Sequence, residues 1–287
     1  MFVNAVPLLF AVLWSTGFIG ARFGLPYIEP FTFLALRFLI ALIVLSGLIL
    51  CFRLKFPRWH RGYVHVFGSG LLIHVGYLGG VFCALKMALP VGDTAIIVGM
   101  QPILTALIVH RTHLLKILLT SLLGFVGLLC VMSNGHLSIP VHWNTILPAC
   151  IALIGITLGT LYQKNKCSEF NVVIMVFLQY IPAGLIFWGL STWLERGQVI
   201  VWNGHLIFAL LWLALVLSIG TILLLSWLYK KHSATKVANF FYLAPPLTLI
   251  QGHFFFGEPI TGIDLIGMVL VVASLYIASR VLANIKP

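Results

Sequence analysis

The chain has 287 residues, 61% of them hydrophobic and only 8% charged, with a mean hydropathy of +1.10. A soluble domain carries roughly a quarter charged residues, so this sequence has too few to cover a water-exposed surface. The net charge of +11 is dispersed over short polar segments. It forms no basic stripe or stacking platform, which argues against nucleic acid as a partner.

Apolar stretches recur from end to end. A membrane-spanning helix needs about 20 apolar residues, and the sequence supplies ten such stretches, at roughly 3–25, 30–52, 63–87, 91–110, 114–134, 143–165, 169–194, 204–229, 234–256 and 260–281. Turn and end signals separate them, among them Leu25-Pro26, Phe56-Pro57-Arg58, Asn134-Gly135, Asn203-Gly204 and Gly257-Glu258-Pro259. Only His110-Arg111-Thr112-His113 divides the fourth stretch from the fifth. The expected fold is an all-α polytopic membrane protein with ten transmembrane helices, leaving no room for a soluble domain. The first stretch lacks a basic leader and runs into a second span, so it reads as a retained helix and not as a signal peptide. Cys51, Cys83, Cys130, Cys150 and Cys167 form no CxxC and no metal-ligand spacing. Most of them sit in apolar runs, where Cys acts as a small hydrophobe.

Basic residues set the expected orientation. Arg53, Lys55, Arg58, Arg61, Arg111, Lys116, Lys164, Lys166, Lys230, Lys231, Lys236, Arg280 and Lys286 fall on one side of the ten-span arrangement; only Lys86 and Arg196 fall on the other. The basic side is cytoplasmic by the positive-inside rule, which puts both termini in the cytoplasm. Arg22 and Arg37 lie within spans.

The halves resemble each other weakly. Met100-Gln101-Pro102-Ile103-Leu104-Thr105 aligns with Leu243-Ala244-Pro245-Pro246-Leu247-Thr248, and the same offset pairs Asp93 with Lys236. Each half, 1–137 and 138–287, holds five spans. Five is odd, so the second half is expected to be inserted upside down. Inverted repeats of this kind are a transporter construction, with substrate held between the halves near the midplane.

Three segments carry a family resemblance: Leu13-Trp14-Ser15-Thr16-Gly17-Phe18-Ile19-Gly20-Ala21-Arg22; Glu29-Pro30-Phe31-Thr32-Phe33-Leu34-Ala35-Leu36-Arg37-Phe38; and the Pro246-Leu247-Thr248 stretch with Gly257-Glu258-Pro259. Together they resemble the EamA-type bacterial branch of the drug/metabolite transporter superfamily, over the whole chain. The fourth span departs from that pattern, ending in His110-Arg111-Thr112-His113 where the family has Gly-Glu. The resemblance implies a ten-helix inner-membrane carrier whose helices one to four and six to nine line a central cavity, with five and ten peripheral. It implies a metabolite substrate, often moved outward, and does not fix which one.

Polar residues at membrane depth are costly and usually face protein or a water-filled cavity. Those nearest mid-span are the candidate substrate-binding residues: Trp14, Ser15, Arg37, His74, Tyr77, Gln101, Gln179, Asn239, Tyr242 and Thr248. Arg37 is the sharpest signal. Its guanidinium either grips a substrate carboxylate or phosphate bidentately, or pairs with Glu29 or with carbonyls of a neighbouring helix. Arg22 with Glu29 reads as a structural pair near the outer interface. His74 suits a proton relay or a helix contact. Gln101 and Asn239 suit either a ligand or helix stitching. Trp14 and Tyr242 offer aromatic faces to a ring or a cation, or simply fill the core. Pro102, Pro245 and Pro246 interrupt the fourth and ninth helices and are the candidate hinges. Gly20/Gly24, Gly76/Gly80 and Gly155/Gly159 read as close-packing pairs.

No acidic residue lies near mid-span, which argues against carboxylate-mediated proton coupling. No HExxH, paired aspartates or nucleophile motif is present, so no catalytic residue, metal or cofactor is expected. The expected function is a secondary transporter of a small metabolite, an amino acid or similar, working by alternating access around a midplane cavity. The competing readings are a membrane-embedded enzyme and a channel or scaffold. The expected partners are the lipid bilayer and a small-molecule substrate; a homodimer is left open.

Overall fold

The computed structural model describes residues 2–58, 61–109, 122–124, 126–127, 130, 143–231, 237 and 241–283. Among these residues all regular structure is helical. The helices are α1 (Phe2–Gly24), α2 (Pro30–Cys51), α3 (Gly62–Lys86), α4 (Val91–Val109), α5 (Trp143–Lys166), α6 (Val172–Leu194), α7 (Gly204–Leu211 continuing through Trp212–Thr221 and Ile222–Lys231), α8 (Ala244–Phe256) and α9 (Gly262–Ala283). Six of them are long and apolar enough to cross a membrane: α2 to α6, and α7 over Gly204–Leu225. Leu8–Gly24 and Gly262–Ser274 are shorter apolar helices. Most of the expected fifth span, 114–134, lies outside the described residues.

Each helix starts and stops for local reasons. Pro30 opens α2 at a position where its missing N–H costs nothing. Asn171 and Asn203 cap α6 and α7 by accepting from Val173 N and Leu206 N, each at 2.9 Å. α8 ends on Gly257 at φ +65°, with Gly257 N and Glu258 N donating back to His253 O and Gly252 O. That is a left-handed C-cap, a conformation glycine adopts without strain. On α2, Phe33, Leu34, Arg37, Phe38, Ala41, Leu45 and Ile49 turn inward, while Leu39, Ile43 and Leu50 are exposed. Similar outward rows, such as Leu147, Ile151, Ile154 and Leu158 on α5, exceed what a soluble monomer leaves uncovered and suit a lipid face.

Helix pairing follows the small residues. In α1 against α7, a Cβ on Gly17 or Gly20 would stand 2.6 and 2.9 Å from Leu217 and Leu213. In α3 against α5, Gly80 is pressed against Pro148 O, and a Cβ on Gly155 would meet Leu72 O at 2.7 Å and Tyr77 N at 2.8 Å. In α4 against α8, a Cβ on Gly99 would stand 2.5 Å from Pro245. α2 and α6 pack through aromatic rings, Phe38 with Tyr180 at 4.8 Å and with Phe187 at 5.8 Å.

Two kinds of irregularity recur. α3 and α7 each contain a wide π-helical stretch, Leu71–Gly79 and Trp212–Thr221. The helix of α4 is broken at Met100 and restarts at Gln101; α8 is preceded by a 3-10 turn, Phe241–Leu243. The prolines therefore play a different local part from the one expected of a helix interior. Pro245 and Pro246 occupy the first turn of α8, and Pro102 is the second residue of the restarted segment of α4. A first turn tolerates proline because its N–H groups have no intrahelical acceptor.

Candidate functional site

The described helices enclose a cavity of about 520 Å³ of empty volume, its mouth included. α1 contributes Trp14 and Phe18, α2 Arg37, α3 His74, Tyr77 and Phe82, α6 Tyr180, and α7 Leu217. A second space of about 370 Å³ adjoins it, lined by Thr160, Gln163 and Gln179. Trp14, Ile73, His74 and Ile222 border both.

Four of the expected binding residues thus meet at one place: Trp14, Arg37, His74 and Tyr77. Trp14 lies 6.0 Å from Tyr77 with the rings nearly parallel, at 5°. Arg37 is 4% exposed and donates from Nε to Ser218 Oγ at 2.9 Å. It pairs with neither Glu29 nor a carbonyl in any hydrogen bond among the described residues. Ser218 sits in the wide stretch of α7 and donates from its own hydroxyl to Leu213 O at 3.0 Å, while Tyr180 OH donates to Ser218 O at 2.7 Å. His74 is packed edge-on against Tyr180 and Phe38, at 4.7 and 5.6 Å.

Gln179 borders the second space and links three helices. Its Nε2 donates to Ser69 Oγ at 2.9 Å and Gln163 Oε1 at 2.8 Å, and its Oε1 stands 3.4 Å from His74 Nε2. A buried amide with its bonds made rigidifies its surroundings. The remaining candidates lie elsewhere. Gln101 stitches α4 to α5 by donating to Thr160 Oγ1 at 3.2 Å. Ser15 donates to Val12 O and accepts from Gln251 Nε2 at 3.0 Å. Thr248, three residues before Gln251 on α8, is buried, and its hydroxyl has no hydrogen-bond partner among the described residues. Asn239 lies outside the described residues, as do the side chains of Tyr242 and Pro102.

One expected pair is corrected. Glu29 forms its ion pair with Lys86 at 2.8 Å, and Lys86 also donates to Leu25 O at 3.2 Å. Arg22 stands 5.7 Å over the ring of Phe256 as a cation–π contact. The end of α3 is brought to the α1–α2 turn, so Lys86 reaches the carboxylate although Arg22 is nearer in sequence. Sequence reasoning also missed Ser218, Tyr180, Gln163 and Thr160. Ser218 was within reach of the mid-span rule, since it lies near the middle of the 204–229 stretch.

The profile of the EamA-like transporter family matches residues 3–133 and, a second time, residues 143–280. Among curated proteins, "Uncharacterized transporter YvbV" of Bacillus subtilis (strain 168) is 26% identical over 92% of this chain and 87% of its own length. Proteins named "Probable amino-acid metabolite efflux pump" are 26% identical in Salmonella typhimurium, over 94% of this chain and 92% of theirs, and 24% identical in Escherichia coli (strain K12), over 96% and 93%. A solved crystal structure with 18% sequence identity aligns at a TM-score of 0.68 over 99% of this chain and 98% of its own, a likeness that concerns the fold alone. Matched twice, over nearly its full length, the chain belongs to the EamA-like transporter family.

Proposed function

We propose that this protein is a secondary transporter that carries a small metabolite, an amino acid or a related compound, outward across the bacterial inner membrane by alternating access. The observation that carries the reading is the cavity between α1, α2, α3, α6 and α7. It combines a buried cation, a histidine and stacked aromatic rings within an otherwise apolar wall. Such a mixture, mostly apolar with a few convergent polar groups, is the usual make-up of a small-molecule site. The efflux-pump names of the Salmonella and Escherichia relatives support the metabolite class and the outward direction of this reading.

The moving parts are two inverted five-helix repeats, 1–137 and 138–287, in a ten-span chain with both termini cytoplasmic. Several paired features support this. The wide stretches of α3 and α7 occupy third-span positions of the two halves. The break at Met100 and the turn ending at Leu243 are separated by the same offset as the aligned sequence motifs. The pairing of α1 with α7 mirrors that of α5 with α3, while α2 meets α6 and α4 meets α8. The restarted helices at Pro102 and Pro245-Pro246 are the hinges about which the halves rock.

Reconstitution into proteoliposomes tests the reading, with a panel of amino acids, nucleobases and vitamins as solutes. The expected result is saturable, stereoselective flux that accelerates when the same solute is present on the far side. Single-channel currents overturn it. Orientation has its own measurement. A reporter fused after residue 287 is expected to read cytoplasmic, and a periplasmic reading overturns the ten-span arrangement.

A further inference from the structure

The sequence contains six acidic residues, all within the described part of the chain. Glu29 holds Lys86. Glu195 accepts from the first turn of α2. Glu258 accepts from Val91 N, and Asp264 from Thr261 N. Asp93 lies in the first turn of α4, and Glu169 is exposed between α5 and α6. None of the six lines either space.

Arg37 does line the larger one. Its Nε is engaged by Ser218, and its two Nη nitrogens have no hydrogen-bond partner among the described residues. A guanidinium at this depth is costly without a counter-charge, and none of the six acidic side chains lies there to supply one. The missing partner fits a planar anion that accepts two parallel N–H bonds. An ammonium group in the same cavity meets aromatic faces and no carboxylate.

Building on the transporter reading above, we infer that the substrate is a monocarboxylate with an apolar body and a net charge of −1. Arg37 holds its carboxylate, and Phe18, Leu78, Val81, Phe82 and Leu217 hold its body. Bound anion and guanidinium neutralise each other in the cavity, whereas a zwitterion adds an ammonium that meets aromatic faces but no counter-charge. Arg37 stays with α2, so each turnover carries one negative charge across the membrane. The cytoplasm is electrically negative, and an outward-moving anion therefore runs with the field. A potential of 100 mV multiplies its equilibrium export by about 50-fold, with no coupling ion. Export needs no intramembrane carboxylate to carry protons.

The test compares α-ketoisocaproate with leucine, which share an aliphatic body and a carboxylate and differ in net charge. The purified full chain is reconstituted in potassium-loaded vesicles, and valinomycin sets the interior negative. Efflux of α-ketoisocaproate is expected to rise roughly tenfold over the rate at zero potential, with leucine efflux slower and indifferent to the potential. Arg37→Gln is expected to lower the anion flux by about 100-fold, the order expected for two lost charge-assisted bonds. Arg37→Lys recovers part of it, because the charge remains and the fork does not. The comparison of the two solutes in the unsubstituted protein stands even if Arg37→Gln fails to fold. Saturable flux confined to neutral or zwitterionic solutes, or anion flux indifferent to the potential, overturns the inference and leaves the carrier reading standing. No protein-dependent flux of any solute in the wider panel overturns the carrier reading itself.

Discussion

Gly155→Leu is expected to leave no monodisperse protein in detergent. A Cβ at this position would stand 2.7 Å from Leu72 O, 2.8 Å from Tyr77 N and 3.0 Å from Gly76 C. All three atoms are backbone, so no side chain can rotate aside. The α3–α5 crossing would have to separate along its length, because Gly159 and Gly80 continue the same close approach. Overpacking a core against movable side chains already costs about 1–3 kcal/mol; against two rigid backbones it costs more. Even Gly155→Ala is expected to lower the melting temperature, read by thermal unfolding in detergent. Gly47→Leu is the control. Nothing lies within 4 Å of a Cβ there, and its effect is expected within about 0.5 kcal/mol. Equal behaviour of the two leucine variants would show that the crossing is not built as described.

The second large effect is at Glu195. Its carboxylate accepts from Phe31 N and Thr32 N at 2.8 Å each, and from Thr32 Oγ1 at 2.6 Å. These donors belong to the first turn of α2, whose N–H groups have no acceptor of their own and whose dipole favours a negative charge. A residue at the end of α6 therefore caps a helix more than 160 positions earlier, and it locks the pair of helices that also holds Arg37. Glu195→Ala is expected to cost about 2 kcal/mol, at the upper end for a lost cap. Glu29→Ala removes a half-exposed ion pair, and pairs of that kind contribute about 1 kcal/mol or less. A denaturant titration of the two variants checks the order. A larger loss at Glu29 would overturn it.

The elements that the sequence reveals clearly are those that local physics decides. The stretches 30–52, 143–165 and 169–194 became Pro30–Cys51, Trp143–Lys166 and Val172–Leu194, because long apolar runs between polar punctuation leave the backbone only the helix to satisfy itself in lipid. Arg37, His74 and Trp14 stood out because a polar or bulky group at mid-span demands a reason. The partners did not. Arg37 and Ser218 are 181 positions apart, and no spacing rule connects them. Sequence proximity misled in the case of Arg22 and Glu29, where tertiary packing delivered Lys86 instead. The prolines were visible, but their role depends on where the helix begins. At the first turn of α8 the same residues that would break a helix interior start one. The π stretches left no mark, since a wide turn is made of the same apolar residues as a regular one.

One of those wide turns ties two quantities together. Ser218 and Thr221 donate to Leu213 O and Val216 O, five residues back and not four, so their hydroxyls close the surplus turn of α7. The same Ser218 Oγ receives Arg37 Nε, and its carbonyl receives Tyr180 OH. Tightening α7 to the ordinary pitch would swing Ser218 about 100° around the helix axis, the angle of one residue at 3.6 per turn. Both α2 and α6 would then lose their bond to it together. The pitch of one helix and the location of the bundle's buried positive charge are a single mechanical coordinate, read at one serine.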